Sequence, residues 1–388
     1  MAHNFDLAIR GCGIVGRTLA LLLANQGLRV ALIPAPGAAV APGHSDVRAY
    51  SLNNAARQLL SSVRCWPEGT AVTPVLHMQV FGDQGGQLNF NAHAQGVDAL
   101  NWMVDVPALE TLLASAVRFQ PLITELDEDH TLAPLTVICE GRASRTRAEL
   151  GVAFDVTAYA QLAVAARLQC ALPHGQTARQ WFNAGAQATA SNPTSNRASI
   201  LALLPIGGAD SHEVALVWSV PPAQAQALMG LDGSAFAQTL GEACQHSLGA
   251  MTLHSERAVW PLQLAQARPW VGAMPGPQPR SFALAGDAAH TLHPLAGQGL
   301  NVGLADVAEL ARVLQAREFW RPLSDVKLLR RYARARQADV QAMAWVTDQL
   351  QNLFAQPGAL WPSLRNWGLN AFDHSGPIKR WATANAMR

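Results

Sequence analysis

The stretch Gly286-Asp287-Ala288-Ala289-His290, continued by His293-Pro294-Leu295-Ala296-Gly297-Gln298-Gly299-Leu300-Asn301, carries the densest chemistry in this chain. A carboxylate such as that of Asp287 can accept from sugar hydroxyls, and glycines let backbone N–H groups come close to a ligand. A helix that opens directly behind such a loop favours negative charge at its N-terminus. The pattern therefore suits a polyhydroxylated, partly anionic ligand. Asp287, His290 and His293 also have D-x-x-H-x-x-H spacing, which is compatible with a metal. The glycine loop behind them and the lack of a third carboxylate or histidine close in sequence make that the weaker reading. Both histidines are expected to bond the loop backbone rather than to move protons.

These residues need elements to hold them. Ser281–Ala285 is apolar and reads as a buried strand, and an Ala/Leu-rich helix is expected from about Leu300 to Leu314. Near the N-terminus a short apolar strand, Phe5 to Arg10, runs into Gly11-Cys12-Gly13-Ile14-Val15-Gly16. A helix through about Gln26 and a second strand, Arg29 to Ile33, follow. This strand–GxGxxG–helix–strand order seats a dinucleotide pyrophosphate on a helix N-terminus, so Gly11, Gly13 and Gly16 are candidate binding residues. The same order ordinarily ends its second strand on an acid that holds ribose hydroxyls. Here Ile33-Pro34-Ala35-Pro36 stands at that point, without a carboxylate. A third strand, Leu135 to Cys139, leads into Glu140-Gly141-Arg142-Ala143-Ser144-Arg145-Thr146-Arg147. Taken alone, Glu140 and Arg147 would read as a surface ion pair.

The run His293–Asp306 resembles, at every position, the signature of the UbiH-type ubiquinone-biosynthesis hydroxylases, a branch of the class A FAD-dependent aromatic monooxygenases. Glu140-Gly141 resembles the family's Asp-Gly motif with one extra methylene, and Ser144 and Arg147 stand where the family has Ser and Arg. Asp46-Val47-Arg48 resembles a segment whose arginine lies near the cofactor phosphates. Ahead of Leu109, where the family often has Arg or Gln, this chain has Pro107. Tyr159-Ala160-Gln161, Pro173-His174, Phe182, Leu204-Pro205, Trp218 and Arg257 through Leu262 are similar to landmarks of the family's substrate domain.

The resemblance implies an FAD site built from Gly11, Gly13, Gly16, Arg48, Glu140, Gly286, Asp287, Pro294, Gly297, Gln298, Gly299, Leu300 and Asn301. It implies NAD(P)H as co-substrate, which reduces the flavin. O2 then adds at flavin C4a, and the hydroperoxide delivers one oxygen to a hydrophobic, prenylated phenol. The cofactor carries that chemistry, while the protein positions the ring and excludes water. A base that deprotonates the phenol is not identified by the sequence. The implied fold is α/β: a Rossmann-like FAD-binding domain (1–74, 96–155 and 267–320), an inserted mixed-sheet substrate domain (75–95 and 156–266), and a helical C-terminal segment (321–388).

Composition bounds the alternatives. At 388 residues, 49% hydrophobic and 14% charged, the chain can bury a substantial core, and its net charge of +1 gives no nucleic-acid footprint. Five scattered cysteines without a CxxC pair fit a reducing cytoplasm and no disulfide framework. The N-terminus reads as a strand rather than a signal peptide, and no apolar stretch is long enough to span a membrane. Alternation from Val75 to Asn91 suggests a hairpin, Ile200–Pro205 and Glu213–Val220 suggest strands, and Ala186–Ser199 reads as a loop. The short segment between Leu113 and Leu135 suggests a trimmed peripheral sheet. The basic run Lys327, Arg330, Arg331, Arg334, Arg336 reads as a solvated helix face. Residues 301–388 hold twelve basic and seven acidic side chains, and with Trp345, Trp361, Trp367 and Phe372 they could touch anionic lipid or a partner protein of ubiquinone synthesis. Two rival readings stay open: a non-catalytic member of that biosynthetic assembly, and a flavin hydroxylase of small aromatic acids.

Overall fold

The structure is a computed structural model that describes residues 5–35, 47–82, 86–127, 133–182, 199–276, 278–291 and 299–355. Leu7–Arg10, Val30–Ile33 and Leu135–Ile138 are short and apolar on both faces, the composition of strands buried in a parallel sheet. They sit side by side in a six-stranded sheet. Its order is Val271–Met274, Arg280–Leu284, Leu135–Ile138, Leu7–Arg10, Val30–Ile33, Ile123–Glu125. All neighbours are parallel except the edge strand Val271–Met274, which runs antiparallel to Arg280–Leu284.

One face of this sheet is covered by the helices Ile14–Asn25 and Gly299–Gln315, whose Leu19, Leu23, Val307, Leu310 and Leu314 are fully buried. The two helices approach closely because Gly303 is small: a Cβ built there would lie 3.1 Å from Val15 Cγ2. Between Leu113 and Leu135 the described residues hold one strand, Ile123–Glu125.

A second sheet has nine strands and is mixed. It is antiparallel except where Thr177–Phe182 runs parallel to His77–Phe81. Its spine is the eighteen-residue strand Ala153–Cys170, which pairs with both Glu213–Val220 and Ala258–Arg268. Helices Pro222–Gly230 and Gly233–Ala243 pack over it around Trp218, Phe236 and Leu240. The expected hairpin is present as His77–Phe81 and Gln87–Asn91, and Ile200–Ile206 and Glu213–Val220 form as strands. The edge strand His290–Thr291 ties this sheet to the Asp287 turn.

A small third sheet, Ala49–Leu52, Asn101–Asp105 and Val72–Val75, has no counterpart in the sequence reading. Its strands are four or five residues long, and Pro74 lies on an edge strand, so neither length nor composition announces them. The C-terminal helix runs from Val326 to Ala355. Residues 186–198 of the loop expected at Ala186–Ser199 and the aromatic residues Trp361, Trp367 and Phe372 lie outside the described residues.

Candidate cofactor site

The first strand ends in the glycine turn, and the three glycines have different reasons to be there. Gly11 adopts φ +114°, and a Cβ on it would lie 2.3 Å from the Cys139 carbonyl oxygen. A Cβ on Gly16 would lie 1.9 Å from the Gly11 carbonyl oxygen. Gly11 is required by packing of the turn against the neighbouring strand, and Gly16 by packing of the helix against the turn itself. Gly13 differs, since a Cβ there meets nothing within 4 Å. It is the N-cap of helix Ile14–Asn25 and has no side chain to cap it, so the unpaired N–H groups of the first turn receive nothing from this residue. That bare, electropositive cradle fits the pyrophosphate of FAD.

Across the sheet, strand Arg280–Leu284 ends in the turn Gly286–Ala288. Its shape is fixed by Asp306, a carboxylate with no solvent exposure. Asp306 Oδ2 accepts from the Gly286 N–H (2.9 Å) and from His290 Nε2 (2.6 Å), and Oδ1 accepts from Arg336 Nε (2.8 Å). Burial pushes the Asp306 pKa up, but His290 and Arg336 outweigh it and hold the carboxyl below its ordinary range. Trp270 stacks on His290 at 5.1 Å between ring centroids, and Tyr332 donates to the Leu284 carbonyl. His290 is thus a buried structural ligand of Asp306. Its partner is a carboxylate, where the sequence reading expected loop backbone.

Asp287 is turned the other way. Its side chain is exposed and, among the described residues, accepts no hydrogen bond. Desolvation by the surrounding protein raises its pKa, while the charges of His290, Arg142 and Arg48 pull it down. Arg48 therefore lies near enough for its charge to act on Asp287, although 239 positions separate them in the chain. The segment holding Arg48 is braced by Arg167, which pairs with Asp105 and donates to the carbonyls of Val47 and Arg48.

Glu140 and Arg147 are not a surface ion pair. Glu140 Oε2 accepts from Ser144 Oγ (2.7 Å) and the Thr146 N–H (3.0 Å), and Oε1 accepts from Thr146 Oγ1. It thereby ties down the short helix Arg145–Glu149, which Ser144 caps. One lone pair on Oε1 is left for a further donor. Arg147 is buried, with its guanidinium 3.5 Å from the centroid of the Phe154 ring. It donates to the carbonyls of Ala288 and Arg142, 3.0 Å each, and so joins the middle motif to the Asp287 turn. Burial lowers its pKa, and Glu140 partly restores it.

Gly299 and Leu300 begin the long helix, with Leu300 buried in the core. Asn301 uses its side chain internally. Nδ2 donates to the Ser51 carbonyl (2.7 Å), and Oδ1 accepts from the Asn53 N–H (2.9 Å). Asn53 in turn caps helix Asn54–Ser62. Pro294, Gly297 and Gln298, with His293, lie outside the described residues.

Two functional supports escaped the sequence reading. Arg336, assigned there to a solvated face, is buried against Asp306, because the helix carries it inward while its neighbours Arg330, Arg331 and Arg334 stay exposed. Arg167 belongs to no motif. The usable signal for Arg336 was helical phase: Leu329, Tyr332, Ala333, Arg336 and Val340 form one inward stripe.

Comparison with known proteins agrees with this geometry. The FAD binding domain family matches residues 115–347. Ubiquinone hydroxylase UbiL of Rhodospirillum rubrum is 31% identical over 98% of this chain and 89% of its own. The 3-demethoxyubiquinol 3-hydroxylase of Escherichia coli is 30% identical over 98% of both chains. Among solved structures, p-nitrophenol 4-monooxygenase PnpA from Pseudomonas putida shares the fold with a TM-score of 0.74 at 15% identity, covering 99% of this chain and 98% of its own. PqsL, a probable FAD-dependent monooxygenase from Pseudomonas aeruginosa, gives a TM-score of 0.69 at 22% identity, covering 95% and 99%. With a glycine cradle that FAD fits, a family match over more than half its length and hydroxylase relatives along nearly all of it, the chain belongs to the UbiH-type ubiquinone-biosynthesis hydroxylases, the FAD-dependent aromatic monooxygenases.

Proposed function

We propose that this protein hydroxylates a hydrophobic, prenylated phenol of ubiquinone biosynthesis, using FAD, NAD(P)H and O2. The observation that carries the reading is the Gly13 N-terminus without a side-chain cap, together with an exposed Asp287 carboxylate that feels the charge of Arg48, in a turn fixed from behind by Asp306. The flavin, when bound, activates oxygen with electrons from the nicotinamide. The chain's own part is to hold the cofactor and fix its orientation. In this reading Gly11, Gly13 and Gly16 shape the pyrophosphate turn, and Arg48 faces the phosphates. Asp287 accepts from the ribityl hydroxyls. Glu140 and Arg147 hold the middle turn, and Gly286 and Gly299–Asn301 frame the flavin side with Pro294, Gly297 and Gln298. Residues 1–74, 96–155 and 267–320 act as the cofactor domain, with 75–95 and 156–266 supplying the substrate side.

The test is direct. Purified protein incubated with FAD and freed of excess should keep a flavin spectrum. It should then oxidise NAD(P)H faster in the presence of a prenylated phenol and yield a product heavier by one oxygen. Failure to take up flavin would favour a non-catalytic role, and stimulation by small aromatic acids alone would move the substrate class.

No helix among the described residues is long and apolar enough to cross a membrane. Contact with an anionic membrane surface is supported by the basic excess of residues 301–388 and by exposed Phe319 and Trp320 between Arg317 and Arg321. Co-sedimentation with phosphatidylglycerol vesicles, lost in high salt, is the expected result.

A further inference from the structure

We propose that Glu125, on the strand beside the one that ends just before Pro34, has taken over the adenosine ribose of FAD. The proposal rests on FAD as the cofactor and concerns which residue of this chain holds its far end.

The second strand carries no acid at its end, and the next carboxylate along the chain is Asp46. The neighbouring strand is different. Ile123–Glu125 runs parallel to Val30–Ile33 with Leu32 opposite Glu125, and the Leu126 N–H extends the ladder to the Leu32 carbonyl at 2.9 Å. Parallel register brings the C-terminal ends of both strands to the same edge of the sheet, where the glycine turn also lies. Side chains alternate along a strand, so Glu125 shares the face of Ile123, which packs in the core beneath helix Ile14–Asn25. An acid at position 34 would occupy that same face of its own strand, since it follows buried Val30 and Leu32 at period two. The carboxylate has moved one strand outward and kept its face.

Cys12, inside the glycine turn, supports the placement. Its thiol pKa is raised first by burial, and the charge of Glu125 adds to the rise while Arg17 opposes it. Glu125 is thus near enough to act on the residue between Gly11 and Gly13. It is itself exposed and, among the described residues, makes no hydrogen bond or ion pair. A carboxylate in that state can accept from two vicinal hydroxyls without breaking an existing bond.

The experiment is a fluorescence titration of the full-length apoprotein with FAD and with FMN, which carries the flavin but no adenosine. Glu125→Ala should raise the Kd for FAD by about ten- to a hundredfold, the effect of losing a charge-assisted hydrogen bond, and leave FMN binding unchanged. Asp127→Asn, an exposed acid two residues further along the chain, should bind FAD as wild type does. Pro34→Glu added to Glu125→Ala should recover much of the affinity by returning the acid to the second strand. Unaltered FAD affinity in Glu125→Ala, an equal loss for FAD and FMN, or a loss in Asp127→Asn instead would overturn the proposal. Should Glu125→Ala fail to fold, Glu125→Gln carries the same comparison. Wild-type protein that takes up no FAD would refute the cofactor reading itself, a result separate from any difference between variants.

Discussion

The two sides of the glycine turn are built on opposite terms. On the Asp287 side, polar groups are buried and bonded to one another. Asp306 accepts three hydrogen bonds, Arg147 donates to two carbonyls, and Asn301 bridges two main-chain groups. On the Pro34 side, among the described residues, a Cβ on Gly13 would meet nothing within 4 Å and Glu125 is exposed without a partner. The first side holds its loops in place before any ligand arrives. The second side has groups that gain a partner only when one binds. Substitutions of the buried groups on the Asp287 side should therefore change stability first, and those on the Pro34 side, like those of Asp287 itself, should change binding first.

The largest effect tests the first half of that statement. Asp306→Ala leaves His290 and Arg336 buried without their carboxylate, and removing one partner of a buried pair costs about 3–5 kcal/mol. Urea unfolding should show the loss, and a variant as stable as wild type would break the comparison. The pH dependence has a definite sign. His290 and Arg336 hold the folded pKa of Asp306 below the ordinary aspartate value of 3.8. Its contribution is then complete above 3.8 and is lost as pH falls through the lower, folded value. In Asp306→Asn that acid-dependent part of the urea midpoint should disappear.

Smaller losses are expected around it. Arg147→Met removes two charge-assisted donors from the Ala288 and Arg142 carbonyls, and should cost about 2–3 kcal/mol. Arg147→Lys should not restore this, because one ammonium cannot reproduce the planar fork over Phe154. Asn301→Ala leaves the Asn53 N–H and the Ser51 carbonyl without their partner, and about 1–2 kcal/mol should go with it. Thermal unfolding of the apoproteins ranks the three. An inverted order would mean that the Asp287 turn is held by something other than Asp306.

Much of this could be read from the chain alone, and the limits have physical causes. The glycine turn, the parallel strands and the long helix were legible because apolar runs and glycines leave a local mark. The meeting of Arg48 with Asp287 was implied by family resemblance and not by spacing, since tertiary folding brings them together across 239 positions. Arg336 was misread because a charge run looks solvated until one position's helical phase is checked. Arg167 gave no signal, as a lone arginine in a strand resembles any other surface residue. Glu125 was invisible for a further reason: its relation to Pro34 exists only in the register of two strands that are distant in sequence.

Gly13→Ala gives the smallest change in stability and the sharpest view of the contrast. Its φ of −78° and ψ of −176° are open to alanine, and the added methyl meets nothing within 4 Å. Loss of a glycine N-cap should cost the folded apoprotein less than about 1 kcal/mol. The same methyl would stand in the cradle where the pyrophosphate must approach the helix N–H groups, so FAD affinity should fall by about tenfold or more. Gly16 has the opposite geometry, with its Cβ position 1.9 Å from a backbone oxygen, and there folding itself is at stake. If Gly13→Ala lowered the melting temperature as much as Asn301→Ala does, the Pro34 side would be as tightly constrained as the Asp287 side. If it left FAD binding unchanged, the cradle would not be where the phosphates lie. A normal melting temperature with weakened FAD binding is the combination that separates a surface kept open for a ligand from one filled by the fold.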